Sequence, residues 1–147
     1  YLPTILAREC EAFAAGGEGF CVVLLRLVGK AGFALGIDGE EARNHVLQRI
    51  AATLGEHAGA GDHLFRYTDQ DFLLVEVDST QAHSSERISR LWRRLDETLR
   101  TEAPAGTQYS MRVALTAADG HPDYQRLLRR LEFALASAGG EEGLLIV

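Results

Sequence analysis

Lysine is nearly absent from this chain: Lys30 stands alone among 15 basic residues, against 21 acidic ones, and the 147 residues carry a formal net charge of −6. That balance excludes a generic polyanion binder, because nucleic-acid affinity at physiological salt comes largely from phosphate neutralisation by Lys and Arg. Cysteine is almost as scarce. Cys10 and Cys21 lie in apolar surroundings without a CxxC spacing, which predicts buried free thiols in a reducing compartment, the cytoplasm, rather than a disulfide or a metal site. No apolar run reaches the roughly 20 residues a membrane helix needs, and no basic n-region followed by an apolar h-region opens the chain. No membrane contact by this domain is therefore expected. His45, His57, His63, His83 and His121 show no HxxxH or HExxH spacing and read as surface or loop residues. No GxxxxGK[ST] loop occurs, and Ser84-Ser85 reads as a helix start rather than a nucleophile.

What remains is one globular domain. With 46% hydrophobic and 24% charged residues, a chain of this length can bury a full core. It starts directly on a helical pattern and ends on Leu144-Leu145-Ile146-Val147, so residues 1–147 are expected to be a single domain excised from a longer multidomain protein. Ile5, Leu6, Glu9, Cys10 and Phe13 share one side of an opening helix that Gly16-Gly17 stops. Phe20 to Val28 is an almost unbroken apolar run, interrupted only by Arg26, and reads as a central strand buried on both faces. After a glycine-rich loop, Asp38 is positioned to cap a helix whose buried stripe is Val46, Leu47, Ile50, Ala51 and Leu54.

Two strands, about Asp62 to Tyr67 and Asp71 to Val77, then flank the polar tetrad Thr68-Asp69-Gln70-Asp71. This is the pattern of a β-hairpin with an acidic tip, and Asp69 and Asp71 are hard oxygen donors of the kind that hold a metal, although Asp and Thr are also ordinary turn residues. Ile88, Leu91, Trp92, Leu95 and Leu99 define a second amphipathic helix, with Arg87, Arg90, Arg93, Arg94, Asp96, Glu97 and Arg100 on its outer face. Tyr109, Met111, Val113 and Leu115 alternate as a strand with one buried face. Pro122 opens a third helix along Tyr124, Leu127, Leu128, Leu131, Ala134 and Leu135, and the final Leu-Leu-Ile-Val is a short strand. The order α, β, α, β, β, α, β, α, β predicts a central mixed sheet flanked by helices.

The Arg66-Tyr67-x-x-x-Asp71-Phe72 hairpin, Val46 to Leu54 before it, Asp62 ahead of the turn, and Leu127 to Ala138 after it make the chain resemble the GGDEF family of diguanylate cyclases over nearly its whole length. The resemblance implies an α/β (α+β) domain with a central mixed, mainly antiparallel five-stranded sheet of the nucleotidyl-cyclase kind. In that family two GTP are joined into cyclic di-GMP by a facing pair of domains, with two Mg²⁺ ions and with signature glycines that admit the nucleotide.

Position by position, this chain departs from that pattern. The signature falls on Thr68, Asp69, Gln70, Asp71 and Phe72, so both glycines carry side chains and the acidic third position is Gln70. The first metal carboxylate aligns with Arg26. At an effective dielectric near 20, a like charge about 4 Å away costs roughly 4 kcal/mol per unit charge, and a divalent ion doubles that. The guanine-reading Asn falls near Ala34 or Leu35 and its partner Asp on Asn44, while the phosphate-binding Lys and Arg fall on Gly139 and near Gly143. The product-binding RxxD motif reads Gly59-Ala60-Gly61-Asp62. Its Asp62 is kept and its bidentate Arg is lost.

The resulting expectation is a non-enzymatic GGDEF-type domain, with no metal and no cofactor, acting as a regulatory or protein-interaction module in bacterial cyclic di-GMP signalling. The alternative is a sensor that binds GTP or cyclic di-GMP without turnover and controls a neighbouring domain such as an EAL phosphodiesterase. Asn44, Asp62 and Arg90 are the ligand-binding candidates. Thr68, Asp69, Arg87, Arg90, Arg93 and Arg94 are the interaction candidates. The expected partners are other domains of the same chain (EAL, receiver or PAS) or a signalling protein.

Overall fold

The computed structural model describes residues 4–5, 7–8, 10–11, 19–29, 37–59, 62–68, 71–77, 81–102, 109–118, 123–137 and 144–146. Its elements run β1 (Cys21–Gly29), α1 (Ile37–His57), β2 (His63–Arg66), β3 (Asp71–Glu76), α2 (Gln81–Glu102), β4 (Tyr109–Ala117), α3 (Tyr124–Ser137) and β5 (Leu144–Ile146). The five strands form one sheet in the order β2-β3-β1-β4-β5. Every neighbouring pair is antiparallel except β4 and β5, which run parallel. The described residues among Thr4 to Glu11 are helical.

The central position of β1 follows from its composition. A strand whose residues Cys21 to Leu25 are all apolar has no face suited to water, and all five are fully buried. Alternation along the strand divides them between two cores. Cys21, Val23, Leu25 and Leu27 pack with Val46, Leu47, Ile50 and Leu54 of α1 and with Ile88, Leu91, Leu95 and Leu99 of α2. On the other face, Val22 and Leu24 pack with Leu127, Leu131 and Leu135 of α3 and with Cys10. The three- and four-residue spacing of the helical leucines makes each stripe a single face. Trp92 sits at the margin of the first core, where its indole N–H donates to the Met111 carbonyl at 3.0 Å.

Several boundaries differ from expectation. The first long helix begins at Ile37, so Asp38 lies inside it rather than capping it. α2 begins at Gln81, which makes Ser84 a buried residue of its first turns instead of a start signal. The start of α3 is held by Asp123, whose carboxylate accepts the Gln125 N–H at 2.9 Å; Pro122 lies outside the described residues. β4 is buried on both faces in its second half, since Ala114 and Thr116 are as inaccessible as Val113 and Leu115. Short Ala and Thr side chains break the visible alternation, while α3 covers the face they occupy. Both cysteines are free and buried. Among the described residues no helix is long and apolar enough to cross a membrane.

Leu91 is fully enclosed between α2 and the sheet, whereas Arg93 points to solvent. Leu91→Ala is expected to lower unfolding free energy by about 2 to 5 kcal/mol. Arg93→Ala should change it by less than about 0.5 kcal/mol. Urea titration of the two variants checks both.

Candidate functional site

Antiparallel pairing of β1 with β3 sets Arg26 directly opposite Asp71, and pairing of β1 with β4 sets Arg112 opposite Arg26 on the other side. Directly opposed residues project from the same face of a sheet. The consequence is a two-point fork: Arg26 Nε donates to Asp71 Oδ1 at 2.8 Å and Arg26 Nη2 donates to Oδ2 at 3.0 Å. The Asp71 side chain is only 2% exposed and that of Arg26 24%. Hydrogen bonding to Asp71 pushes the Arg26 guanidinium still further up from its ordinary pKa, against the opposing effect of its partial burial. Asp71 is thus not at the hairpin tip. It is the first residue of β3, buried, with both oxygens engaged. Taking away one partner of such a pair strands the other, at a cost of up to roughly 3–5 kcal/mol.

The hairpin closes on backbone and ring contacts. Tyr67 N–H donates to the Asp71 carbonyl at 2.9 Å, and Asp71 N–H and the Thr68 carbonyl lie 3.4 Å apart. Arg66 Nε donates to the Thr68 carbonyl at 3.0 Å, and its guanidinium carbon lies 5.1 Å from the centre of the Phe72 ring. Tyr67 Oη donates to Glu132 of α3 at 2.7 Å. Burial and the Glu132 carboxylate push the Tyr67 phenol up to about 12, so it stays a donor at neutral pH. Thr68 is exposed. Asp69 and Gln70, with Ala34, Leu35, Gly139 and Gly143, lie outside the described residues.

Of the ligand candidates, Asn44 is exposed on α1 and Arg90 is exposed on α2 beside Glu86, 2.6 Å away. Asp62 serves the chain itself. Its Oδ2 accepts the Gly59 N–H at 2.9 Å and its Oδ1 accepts the Val77 N–H at 3.1 Å. Arg87, expected on the outer face, is instead half-buried behind Asp62. Its Nη1 lies 2.7 Å from Glu76 Oε2, and its Nη2 lies 3.8 Å from Asp62 and donates to the His57 carbonyl at 3.4 Å. Arg94 pairs with Glu56 at 3.0 Å and Arg100 with Asp96 at 2.8 Å, both at the surface. Arg93 is exposed with no hydrogen bond or ion pair among the described residues. The α2 arginines are thus mostly matched by nearby carboxylates.

Sequence reasoning missed Glu76, His57 and Arg112. Glu76 is fully buried, and neither oxygen is in hydrogen-bonding geometry even though one meets Arg87 as an ion pair. Desolvation raises its carboxyl to about 7, with Arg87 pulling down and Asp62 pushing up. His57, read as a surface residue, is half-buried with an unbonded Nε2, and burial lowers its pKa. The available signal for Glu76 was a carboxylate at the end of an otherwise apolar strand. Arg112 could be found only through the β1–β4 register.

A carboxyl whose folded pKa lies above its unfolded one stabilises the fold most at low pH, and that contribution disappears as pH rises through the folded value. For Glu76 the window runs from about 4.5 to about 7. Glu76→Gln should therefore gain on the wild type across that window by up to roughly 3 kcal/mol, while Arg87 keeps Asp62 and the His57 carbonyl. Denaturant titrations at pH 5 and pH 8 check this; parallel pH profiles for the two proteins would contradict it.

A divalent ion does not fit the Arg26 site. One guanidinium occupies the only carboxylate that is buried there among the described residues, and a second arginine, Arg112, stands in register beside it. Among the described residues, no three His, Cys, Asp or Glu side chains are grouped to hold a metal.

A family model described as "Diguanylate cyclase, GGDEF domain" matches residues 38–143. The diguanylate cyclase DosC of Escherichia coli is 25% identical over 137 residues, which cover 92% of this chain but only 29% of that protein. The GGDEF domain of DgcB from Caulobacter crescentus, solved with cyclic di-GMP, superposes with a TM-score of 0.83 at 16% identity, covering 99% of this chain and 87% of that one. The diguanylate cyclase SiaD of Pseudomonas aeruginosa, solved with its activator SiaC, superposes with a TM-score of 0.79 at 19% identity, covering 99% of this chain and 56% of that one. The sheet order, the hairpin and a family match across most of the sequence together place this chain in the GGDEF domain family of the diguanylate cyclases.

Proposed function

We propose that this chain is a non-catalytic GGDEF domain that works as a regulatory or protein-interaction module within a larger cyclic di-GMP signalling protein. The observation that carries the reading is the Arg26–Asp71 fork. Phosphoryl chemistry of this family's kind needs cation charge at the transferring phosphate. Here the carboxylate best placed to hold such a cation is buried under an arginine of the same sheet. Gln70, the side chains at Thr68 and Asp69, and the glycines at 139 and 143 point the same way. Protein contact as a mode of action has a precedent in SiaD, which was solved with a protein activator. On this chain, exposed Thr68 beside Asp69 at the hairpin and Arg90, Arg93 and Arg94 on α2 are the surfaces offered to a partner. Arg93, whose guanidinium has no carboxylate partner among the described residues, is the most available of these arginines.

The purified domain should form no cyclic di-GMP from GTP and Mg²⁺. Product above a no-enzyme control, abolished by Asp71→Ala, would refute the reading. Arg26→Asp alone should not restore synthesis, because groups that act as a unit are not repaired singly.

Cyclic di-GMP itself should bind weakly, since Asp62 is engaged with Gly59 and Val77 and the motif's arginine is Gly59. DgcB, by contrast, was solved with cyclic di-GMP bound. Calorimetry decides the matter, and a micromolar or tighter Kd on this domain would favour the sensor reading instead.

A further inference from the structure

A buried carboxylate that loses its metal must be neutralised, replaced by an uncharged side chain or reopened to water, because an unpaired charge in the interior is costly. At the Arg26 site the carboxylate of Asp71 is kept in a fully buried position and is given a permanent positive partner. We propose that Arg26 is a resident cation: its guanidinium takes, on Asp71, the place of a divalent ion and fixes the start of β3 without one. This rests on the non-catalytic reading and deepens it, by naming what holds the site together when no metal or nucleotide does.

Three observations support the assignment. The fork uses both carboxylate oxygens, at 2.8 and 3.0 Å, so Asp71 is satisfied in the two-point manner that a planar guanidinium offers. The pairing is built into the sheet, because Arg26 and Asp71 are register partners on adjacent strands and no loop has to move to join them. The carboxylate also sits where the hairpin begins its return. Its backbone N–H faces the Thr68 carbonyl, and its carbonyl accepts from Tyr67. Anchoring the side chain therefore anchors the turn. Arginine cannot be deprotonated in the physiological range and does not dissociate. A site filled this way is indifferent to Mg²⁺ and presents the same hairpin, with Thr68 exposed, whether or not nucleotide is present. That constancy suits a surface read by a partner.

The test compares Mn²⁺ responses, followed by electron paramagnetic resonance and by thermal unfolding in EDTA against millimolar MnCl₂. The wild type should neither bind Mn²⁺ at this site nor change its Tm. Arg26→Lys keeps the charge without the fork, so it should melt lower and remain insensitive. Arg26→Asp should melt lower in EDTA, recover in Mn²⁺, and give the Mn²⁺ binding signal that the wild type lacks. Arg26→Asp combined with Asp71→Asn should lose that response. If Arg26→Asp does not fold, Arg26→Ser replaces it and must gain an Asp71-dependent Mn²⁺ response that Arg26→Lys lacks. An Mn²⁺-stabilised wild type overturns the proposal, as does a folded Arg26→Asp or Arg26→Ser with no response. Cyclic di-GMP synthesis is measured on the same samples. Mn²⁺ binding by wild type without product overturns the resident cation alone, whereas product from GTP overturns the non-catalytic reading.

Discussion

The Arg26–Asp71 pair is the constraint on which the site depends, and the pair in turn depends on the sheet. Two charged side chains at one end of a largely apolar strand pairing would each be costly to bury alone. Placed opposite each other in antiparallel register, they satisfy one another with little conformational freedom to lose, since both backbones are already fixed by the ladder. The same register brings Arg112 alongside. Arg26 is therefore flanked by Asp71 on one strand and by Arg112 on the other, with Glu132 also acting on it, and the opposed strands, not a loop, set that arrangement.

A second polar cluster lies at the opposite end of β3, where Arg87 meets Glu76, Asp62 and the His57 carbonyl. It differs in kind. The Arg26 fork is geometrically complete, while Glu76 meets a single cation and has neither oxygen hydrogen-bonded. Cys21 and Ser84 border it, and burial raises the Cys21 thiol. One strand thus carries a settled charge at its start and an unsettled one at its end.

Most of the fold was legible from periodicity. The leucine spacing of α1, α2 and α3 and the apolar run of β1 are strong patterns because each reports a single face or none. What was illegible depended on partners distant in sequence. The second strand was expected from about Asp71, but nothing local shows that this last letter of the polar tetrad at 68–71 is buried against Arg26. Arg87 has the same outward helical spacing as its neighbours, yet Glu76 draws it inward. Arg26 was visible as an interruption of the strand, but its role became definite only once Asp71 was found opposite it.

Asp62 bears on how other sequences of this kind are read. As a letter it survives from a ligand-binding motif, and so does the acidic residue at 71, yet one ties together the backbone at Gly59 and Val77 and the other neutralises an arginine. In both cases the acidic side chain has a partner inside the fold. On the non-catalytic reading proposed above, a survey that counts retained acidic positions would score both residues as ligand-binding although each already has a partner within the fold. Scoring each acid together with the residue facing it across the sheet would separate those that still await a ligand from those the fold has taken over.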